Sequence, residues 1–454
     1  MDLRPQDLSA KLDRVWAASA EKIRSLEKTW DPGQGAPVFT VKGRYTAKGW
    51  TEWTQGFQFG SAILQYDATG DESFLEWGRA HTVRDMAGHV THMGAHDHGF
   101  NNVSTYGNLW RLIGEGRISP EGREQDFYEL ALKCSGAVQA RRWTRLRDGR
   151  GFIYSFNGPH SLFADTIRSL RALALAHQLG HVLLEERDNR ASLLERLAQH
   201  AHVTAEFNVY YGEGRDAYDV RGRVAHESVF NVNDGSYRCP NSQQGYSPFT
   251  TWTRGLAWAM LGYAEQLEFL ETLPDRELDV LGGRRAVEGP MLKAVGAACD
   301  FYIAQSPRDG IPYWDTGAPN LYQLGDYLDR PADPFNPHEP VDSSAAVIAA
   351  QGLLRLGRLL HSRGESPEGD RYRQAGLTVL DRLFDDPYLS TDPAHQGLLL
   401  HSVYHRPNGW DYVPPGAGVP HGESSMWGDY HAREAALYLQ RILRQEKYYT
   451  FFGT

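Results

Sequence analysis

Asp97 lies between two imidazoles in His96-Asp97-His98-Gly99-Phe100, and Asp165 lies in the mostly apolar run Leu162-Phe163-Ala164-Asp165-Thr166-Ile167. Two carboxylates in helical, aromatic-rich surroundings are the usual equipment for acid/base chemistry on a sugar. With Ser161 as N-cap, Asp165 falls near the start of a helix, where the dipole favours the ionised form. Burial among Leu162, Phe163 and Ile167 pushes the other way, and a nearby second carboxylate adds to that push. Taken singly, each aspartate has a plainer reading. Asp165 supports a helix start, and Asp97 caps a helix from Gly99 to Leu112. Gly99 permits close approach of backbone or ligand.

Four histidines, His89, His92, His96 and His98, cluster in ten residues. A zinc site needs three or four converging ligands, and the chain has no His-Glu-x-x-His. Histidines that are satisfied by the fold or that face a substrate are therefore expected, with no metal. Arg254 and Trp258 have i,i+4 spacing, which puts a guanidinium beside an indole on one helix face. That pair suits a sugar acid, cation to carboxylate and ring to ring, or else forms a structural cation–π contact. His226 and Gln243-Gln244-Gly245-Tyr246 precede that helix and offer hydrogen bonds to hydroxyls. Ser424 and Ser425 read both as the cap of the last helix and as substrate contacts.

Helical periodicity must position these groups. Amphipathic segments lie near 7–28, 50–69, 72–87, 100–114, 122–143, 161–180, 190–208, 248–270, 289–306, 343–363, 368–385 and 423–444. Ser247-Pro248 and Pro340-Val341-Asp342-Ser343 read as helix starts, and Gly70 and Gly180 as stops. Strand signal is thin. The stretches 209–246, 307–341 and 386–422 are rich in glycine or proline, carry Trp314 and Trp410, and read as long functional loops. The first of them has room for a short hairpin. Twelve helices with functional loops and no strict repeat fit an all-α (α/α)6 barrel, a toroid of six hairpins, better than a solenoid. The expected organisation is one catalytic domain over 1–454, with the N-terminal helix 7–28 packed on the barrel.

Composition narrows the partners. The net charge of −10 argues against nucleic acid, which requires a basic face. No run of about 18 apolar residues is present to span a membrane. Cys134, Cys239 and Cys299 are odd in number and scattered, so a disulfide framework is not expected. The start of the chain lacks a basic-then-apolar leader pattern, which makes the cytoplasm the expected location. Aromatic residues are 12% of the chain, with 12 Trp and 23 Tyr. They serve a large core or stack on pyranose faces.

Several stretches, taken in order, resemble the unsaturated glucuronyl hydrolases of glycoside hydrolase family 88. They are Trp53-Thr54-Gln55-Gly56-Phe57, His96-Asp97-His98-Gly99-Phe100, Asp165 in its apolar run, Gln244-Gly245-Tyr246 and Trp252-Thr253-Arg254-Gly255-Leu256-Ala257-Trp258-Ala259. Asp309-Gly310-Ile311-Pro312-Tyr313-Trp314-Asp315, Asp342-Ser343-Ser344-Ala345-Ala346 and Trp427-Gly428-Asp429-Tyr430 continue the series. Each motif is weak alone, but eight in order are specific. The resemblance implies the (α/α)6 barrel, no cofactor, and removal of a 4,5-unsaturated uronic acid from the non-reducing end of lyase-generated oligosaccharides. It implies a vinyl-ether hydration, with a proton to C4 and water to C5, and then opening of the hemiketal. Asp165 matches the family's general acid/base and Asp97 its second aspartate. His226, Gln244, Arg254 and Trp258 match substrate-contacting positions, and Trp53, His98, Phe156, Ser424 and Ser425 complete the expected binding set. The assembly expected is a monomer or homodimer.

The chain departs from the family pattern at Leu256, where Gln is usual, and at His98, where an aliphatic residue is usual. It departs again at Thr166-Ile167-Arg168-Ser169 and at Phe156, where Trp is common. These changes bear on the substrate more than on the reaction. Two other functions fit the same residues. One is an inverting glycosidase acting on intact uronides, and the other is a sugar-isomerising or sugar-binding toroid using His96, His98 and His226.

Overall fold

The computed structural model describes residues 2–49 and 52–453. The chain winds in helical pairs. α1 (Ser9–Thr29) leads into α2 (Gln55–Thr69). α3 (Glu72–Asp85) and the short α4 (Ala87–Val90) lead into α5 (His98–Asn102), a π-helical turn (Val103–Gly107) and α6 (Asn108–Gly114). α7 (Glu124–Arg141) leads into α8 (Thr166–Ser169) and α9 (Arg171–Gln178), and α10 (Leu193–Phe207) into α11 (Thr253–Glu271). After the short α12 (Asp275–Asp279), α13 (Arg284–Gln305) leads into α14 (Ser343–Ser362), and α15 (Ser366–Leu383) into α16 (Met426–Leu443).

The second members of these pairs form a closed ring. α2 touches α5, α5 touches α8, α8 touches α11, α11 touches α14, α14 touches α16, and α16 returns to α2. The first members lie outside: α3 on α2, α7 on α9, α13 on α11, α15 on α14, and α1 against α16 and α2. This is the (α/α)6 barrel. Burial separates the rings. Every residue of α2 from Gln55 to Ala68 and of α11 from Thr253 to Leu270 is buried, as befits helices enclosed on all sides. α1 instead buries a stripe that includes Leu12, Val15, Trp16, Ile23 and Leu26.

The inner ring also encloses charge. Arg168 reaches Glu265 at 2.6 Å and Glu434 at 2.8 Å, Arg355 reaches Glu268 at 2.6 Å, and Arg111 and Arg441 both reach Asp67 at 2.7 Å. Each pair joins two inner helices. Removing one partner would strand a buried charge at a cost of about 3–5 kcal/mol.

Several local expectations are met. Gly70 ends α2 in the left-handed region at φ 73°, and its N–H donates to Tyr66 O. Asp342 caps α14 by accepting from the N–H groups of Ser344 and Ala345. Others are corrected. Residues 161–163 are a strand, not the start of a helix, so Ser161 caps nothing. Asp165 sits at the N-cap position of α8, and its side chain makes no cap bond. The helix expected from Pro248 begins at Thr253 after Trp252, because 247–251 turns instead across the loop that carries Thr316. The first residues of the helix expected over 50–69 include 50 and 51, which lie outside the described residues, and α2 itself starts at Gln55.

Short strands occupy the connections. β1 (Pro37–Val41) pairs with β2 (Arg44–Ala47), and β3 (Trp143–Arg145) with β4 (Gly151–Ile153). β5 (Ser161–Phe163) joins a three-stranded antiparallel sheet, after the small β6 (Leu183–Leu184) and β7 (Arg190–Ala191) hairpin, with β8 (Glu227–Phe230) and β9 (Tyr237–Asn241). The hairpin expected in 209–246 is thus β8–β9, and it holds β5, the strand that ends two residues before Asp165. Among the described residues no helix is long and apolar enough to cross a membrane.

Candidate active site

Asp97 and Asp165 each precede an inner-ring helix, α5 and α8, and the start of α5 crosses the end of α8 at very short range. A Cβ on Gly99 would meet the backbone oxygen of Ser169 at 2.2 Å, so only glycine fits there. The crossing is bonded as well as close. Ser169 Oγ donates to His96 O at 2.6 Å and accepts from Gly99 N at 2.9 Å. Gln139 Nε2 donates to His96 O at 3.0 Å, and Arg171 donates to Gly99 O at 2.8 Å. On the other side, Ala164 N donates to His226 O at 2.9 Å as β5 leaves the sheet. Sheet and crossing together fix both carboxylates.

His96 stands between them. Its Nε2 is 3.1 Å from Asp165 Oδ1 and 3.8 Å from Asp97 Oδ1. Its side chain is 2% exposed, against 15% for Asp97 and 13% for Asp165, which open to the cleft. Burial pushes the Asp97 carboxyl up, and the charge of Asp165 adds to the rise against the pull of His96 and Arg142. Burial also pushes Asp165 up, but the His96 hydrogen bond and charge, with His226 and Arg254, outweigh it and leave Asp165 below its usual value. The opposing effects expected at Asp165 thus resolve to a lowered carboxyl there, and the raised carboxyl of the pair is Asp97. Burial would lower His96, yet Asp97 and Asp165 together lift it above the usual imidazole value.

The cleft around these groups has a volume of about 480 Å³, which suits a sugar-sized ligand. Trp258 and Phe100, 4.9 Å apart, and Trp53, stacked on Trp427 at 5.2 Å, supply its apolar surface. Phe156 lies over the His96 ring at 6.1 Å and is half exposed. Its loop is tied down by Arg142, which donates to Ser155 O, Tyr154 O and Met93 O. Gln243, Gln244, Trp252 and Arg254 line one side. Tyr404, His405, Asn408 and Trp410 from the 386–422 loop line another, with Lys48 Nζ 4.0 Å over the Trp410 ring. Glu52 also lines the cleft, and burial lifts its carboxyl to about 7 despite a bond from Trp53 N, with Asp97 adding to the rise.

Asp97, Asp165, Gln244, Arg254, Trp258, Trp53 and Phe156 all meet in this cleft, as expected. His226 stands behind it. Its Nδ1 accepts from the N–H groups of Gln243 at 3.0 Å and Gln244 at 3.3 Å, which puts its proton on Nε2. His98 is a correction. It is buried behind the loop, with Nε2 bonded to His92 O at 2.8 Å and Nδ1 to Ser135 Oγ at 3.0 Å, and does not face the cleft. As substrate contacts Ser424 and Ser425 are corrections too, while the cap reading holds at Ser425. Ser424 Oγ donates to Leu399 O at 2.7 Å, and Ser425 caps α16 by accepting from Gly428 N. Both are fully buried. Glu52, Lys48, Tyr404, His405 and Trp410 were not foreseen. Trp410 alone carried a signal, as a tryptophan in a proline- and glycine-rich loop.

A second cleft of about 550 Å³ lies between α10, the loop 209–219 and α13. Its acids are engaged by the protein: Glu206 by Arg150 at 2.8 Å, Glu213 by Lys293 at 2.7 Å, and Asp219 by backbone N–H groups. Size therefore does not select the site, whereas the pair of open carboxylates does. Among the described residues no three His, Cys, Asp or Glu side chains converge as a metal cage.

No family model matches the chain. It is 26% identical over 410 residues to the unsaturated glucuronyl hydrolase of Bacillus sp. (strain GL1), covering 88% of this chain and 89% of that protein. It is 26% identical over 406 residues to the unsaturated chondroitin disaccharide hydrolase of Streptococcus pyogenes serotype M1, covering 88% and 84%. The crystal structure of the unsaturated glucuronyl hydrolase from Bacillus sp. GL1 superposes with a TM-score of 0.71 at 23% identity, over 96% of this chain and 98% of that one. An unsaturated glucuronyl hydrolase specific for heparin superposes with a TM-score of 0.72 at 19% identity, over the same shares. In sequence over 88% of its length, and in fold, the chain is a relative of the unsaturated glucuronyl hydrolases.

Proposed function

We propose that the chain is a glycoside hydrolase that removes a 4,5-unsaturated uronic acid from the non-reducing end of lyase-generated oligosaccharides. The observation that carries this is the pair of cleft carboxylates Asp97 and Asp165, both within reach of one buried imidazole, in an aromatic cleft. In this reading Asp165, supplied with the proton that it shares with the raised Asp97 through His96, gives a proton to C4, and the C4=C5 electron pair forms the new C4–H bond. The ring oxygen shares the positive charge left at C5. Water adds at C5 and returns a proton to the Asp165 carboxylate, so one group serves as acid and then as base. The hemiketal opens and the leaving sugar departs. Asp97 supplies the second carboxyl that tunes the pair. Gln244 offers donors to the uronic acid, His226 holds the Gln243–Gln244 backbone from behind, Arg254 acts behind Gln244, and Trp258, Trp53 and Phe156 cover the apolar faces of the sugar.

The same reading makes residues 1–454 one catalytic unit, working in the cytoplasm as a monomer or homodimer. Cys134, Cys239 and Cys299, all free, fit a reducing compartment.

The test is the conjugated double-bond absorbance of an unsaturated disaccharide, followed with wild type and Asp165→Asn. Wild type should consume it and the variant should not, with the fold of the variant unchanged by circular dichroism. In heavy water the released acid should carry deuterium at C4. Full activity in Asp165→Asn, or release of a uronic acid without isotope at C4, would overturn the reading. The second result would favour direct cleavage of intact uronides.

A further inference from the structure

Among the described residues Asp165 has one side-chain hydrogen bond, and it is to His96. That bond engages Oδ1 alone. The imidazole is pinned by the two bonds to its own carbonyl, from Ser169 and Gln139, and its ring is boxed by Phe156 in parallel and Phe163 edge-on at 5.7 Å. Its Nδ1 is buried and has no partner among the described residues, so the ring's polar contact there is directed at the carboxylates. The titratable and charged groups around it come from several elements. They are Asp97 on its own segment, Asp165 ahead of α8, Arg142 after α7, His200 on α10 and His226 ahead of β8. His92 adds a charge near Asp97. The two nearest groups are both acids.

We propose that His96 is a positioning residue for the reaction. It holds Asp165 by one carboxylate oxygen, leaves the other for the substrate, and ties the proton occupancy of Asp165 to that of Asp97. The inference rests on the proposed reaction and extends it from two groups to three. The three groups titrate together, and the observed ionisations belong to the cluster. While His96 is protonated it stabilises two neighbouring acids that carry at most one proton between them. When His96 loses its proton, the cluster no longer holds the one that C4 requires. The alkaline limb of the rate profile therefore reports an imidazole, not a carboxylic acid.

The experiment compares pH profiles of kcat and kcat/KM for wild type, His96→Gln and His96→Asn on an unsaturated disaccharide. Glutamine can keep a neutral hydrogen bond to Asp165, whereas asparagine is too short. His96→Gln should lower kcat at pH 7 by roughly 10²-fold, the scale of one acid–base contribution, and change KM little. Its alkaline limb should move down by about one pH unit or more, because only carboxyls remain to hold the proton. His96→Asn should lose more. A profile for His96→Gln with the wild-type shape would overturn the proposal.

A second measurement does not depend on activity or on the folding of a His96 variant. Nitrogen-15 NMR of the ligand-free protein follows His96 against pH in wild type and in Asp165→Asn. In wild type it should titrate above the ordinary value of 6.5, and in Asp165→Asn distinctly lower. A ring that stays neutral, or that is indifferent to Asp165, would overturn the proposal. If wild type leaves the unsaturated disaccharide intact, the proposed reaction fails, while the NMR titration still decides the role of His96.

Discussion

Arg254 Nη2 donates to the side-chain oxygen of Gln244 at 3.0 Å. Arginine can only donate, so the amide oxygen faces it and the amide NH2 is left for the cleft. The other guanidinium bonds go to Asp342 at 2.8 Å, Val403 O at 2.6 Å and Tyr404 O at 2.8 Å. Arg254 is therefore not the direct carboxylate clamp that its spacing to Trp258 suggests. It orients Gln244, and through Tyr404 and Val403 it fixes the loop opposite. Gln244→Glu keeps an acceptor for Arg254 but replaces the donor with a second oxygen. It should raise KM for a uronide by about 10-fold or more through lost hydrogen bonding and like-charge repulsion. The melting temperature should hold. An unchanged KM would remove Gln244 from the binding set.

Arg254→Ala would act mainly on stability. Asp342 is fully buried and caps α14, so without the guanidinium its second oxygen is stranded. The expected cost is about 3–5 kcal/mol, read as a lower denaturation midpoint in urea. Arg254→Lys keeps the charge but cannot serve four acceptors, and should fall between wild type and Ala. A loss below about 1 kcal/mol for Arg254→Ala would contradict this account of the arginine.

The architecture was legible because helical periodicity recurs along the chain and its segments are bounded by local chemistry, such as Asp342 before α14 and Gly70 after α2. The helix expected over 161–180 failed for a definite reason. Leu162-Phe163-Ala164 is a short apolar run that suits a buried strand as well as a buried helix, and only pairing with β8 decides between them. The site was legible as residue types, because carboxylates, indoles and an amide recur at recognisable spacings. Which donors the fold already uses was not legible. His98, Ser424 and Arg254 look available in the chain, but each is bonded to backbone from a distant segment or across a loop. Tyr404 and His405 reach the cleft from a loop far along the chain, with no periodicity to announce them.

His98 offers a direct check of that lesson. Its Nε2–H must donate, since His92 O can only accept, and Nδ1 then accepts from Ser135 or Asn102. His98→Leu installs an aliphatic side chain at a site whose partners are polar. It should cost about 1–3 kcal/mol, from the unpaired His92 carbonyl and Ser135 hydroxyl. KM should change by less than about 3-fold, as for a residue that does not touch ligand. A large rise in KM with intact stability would return His98 to the binding set.

Stability should fall as the medium is acidified below neutrality. His98, His226 and His431 are held by burial at about 4, and His200 at about 3, against an ordinary 6.5. Each stays neutral in the native state between those values while the unfolded chain takes up a proton. The unfolded state then binds more protons, so stability rises with pH across this window and is lost as pH drops from 6.5 toward 4. His96 has the opposite sign. Its raised native value adds stability that is complete below 6.5 and lost as pH rises through that value. Asp165, lowered, adds stability above 3.8 that is lost only as pH falls through its native value. His89 and His405, at about 4, and His401, at about 3, act in the same sense as the other lowered imidazoles. The carboxyls of Glu52 and Glu265, raised to about 7, and of Asp315, raised to about 6, act with His96. The lowered imidazoles outnumber them near pH 5 to 6, with a slope on the order of 1 kcal/mol per group per pH unit. Thermal melts at pH 7, 6 and 5 should show a steadily falling Tm. His431→Gln, which removes one of these protons, should make the decline shallower. A Tm that is flat from pH 7 to 5 would mean that these imidazoles are not held neutral by the fold.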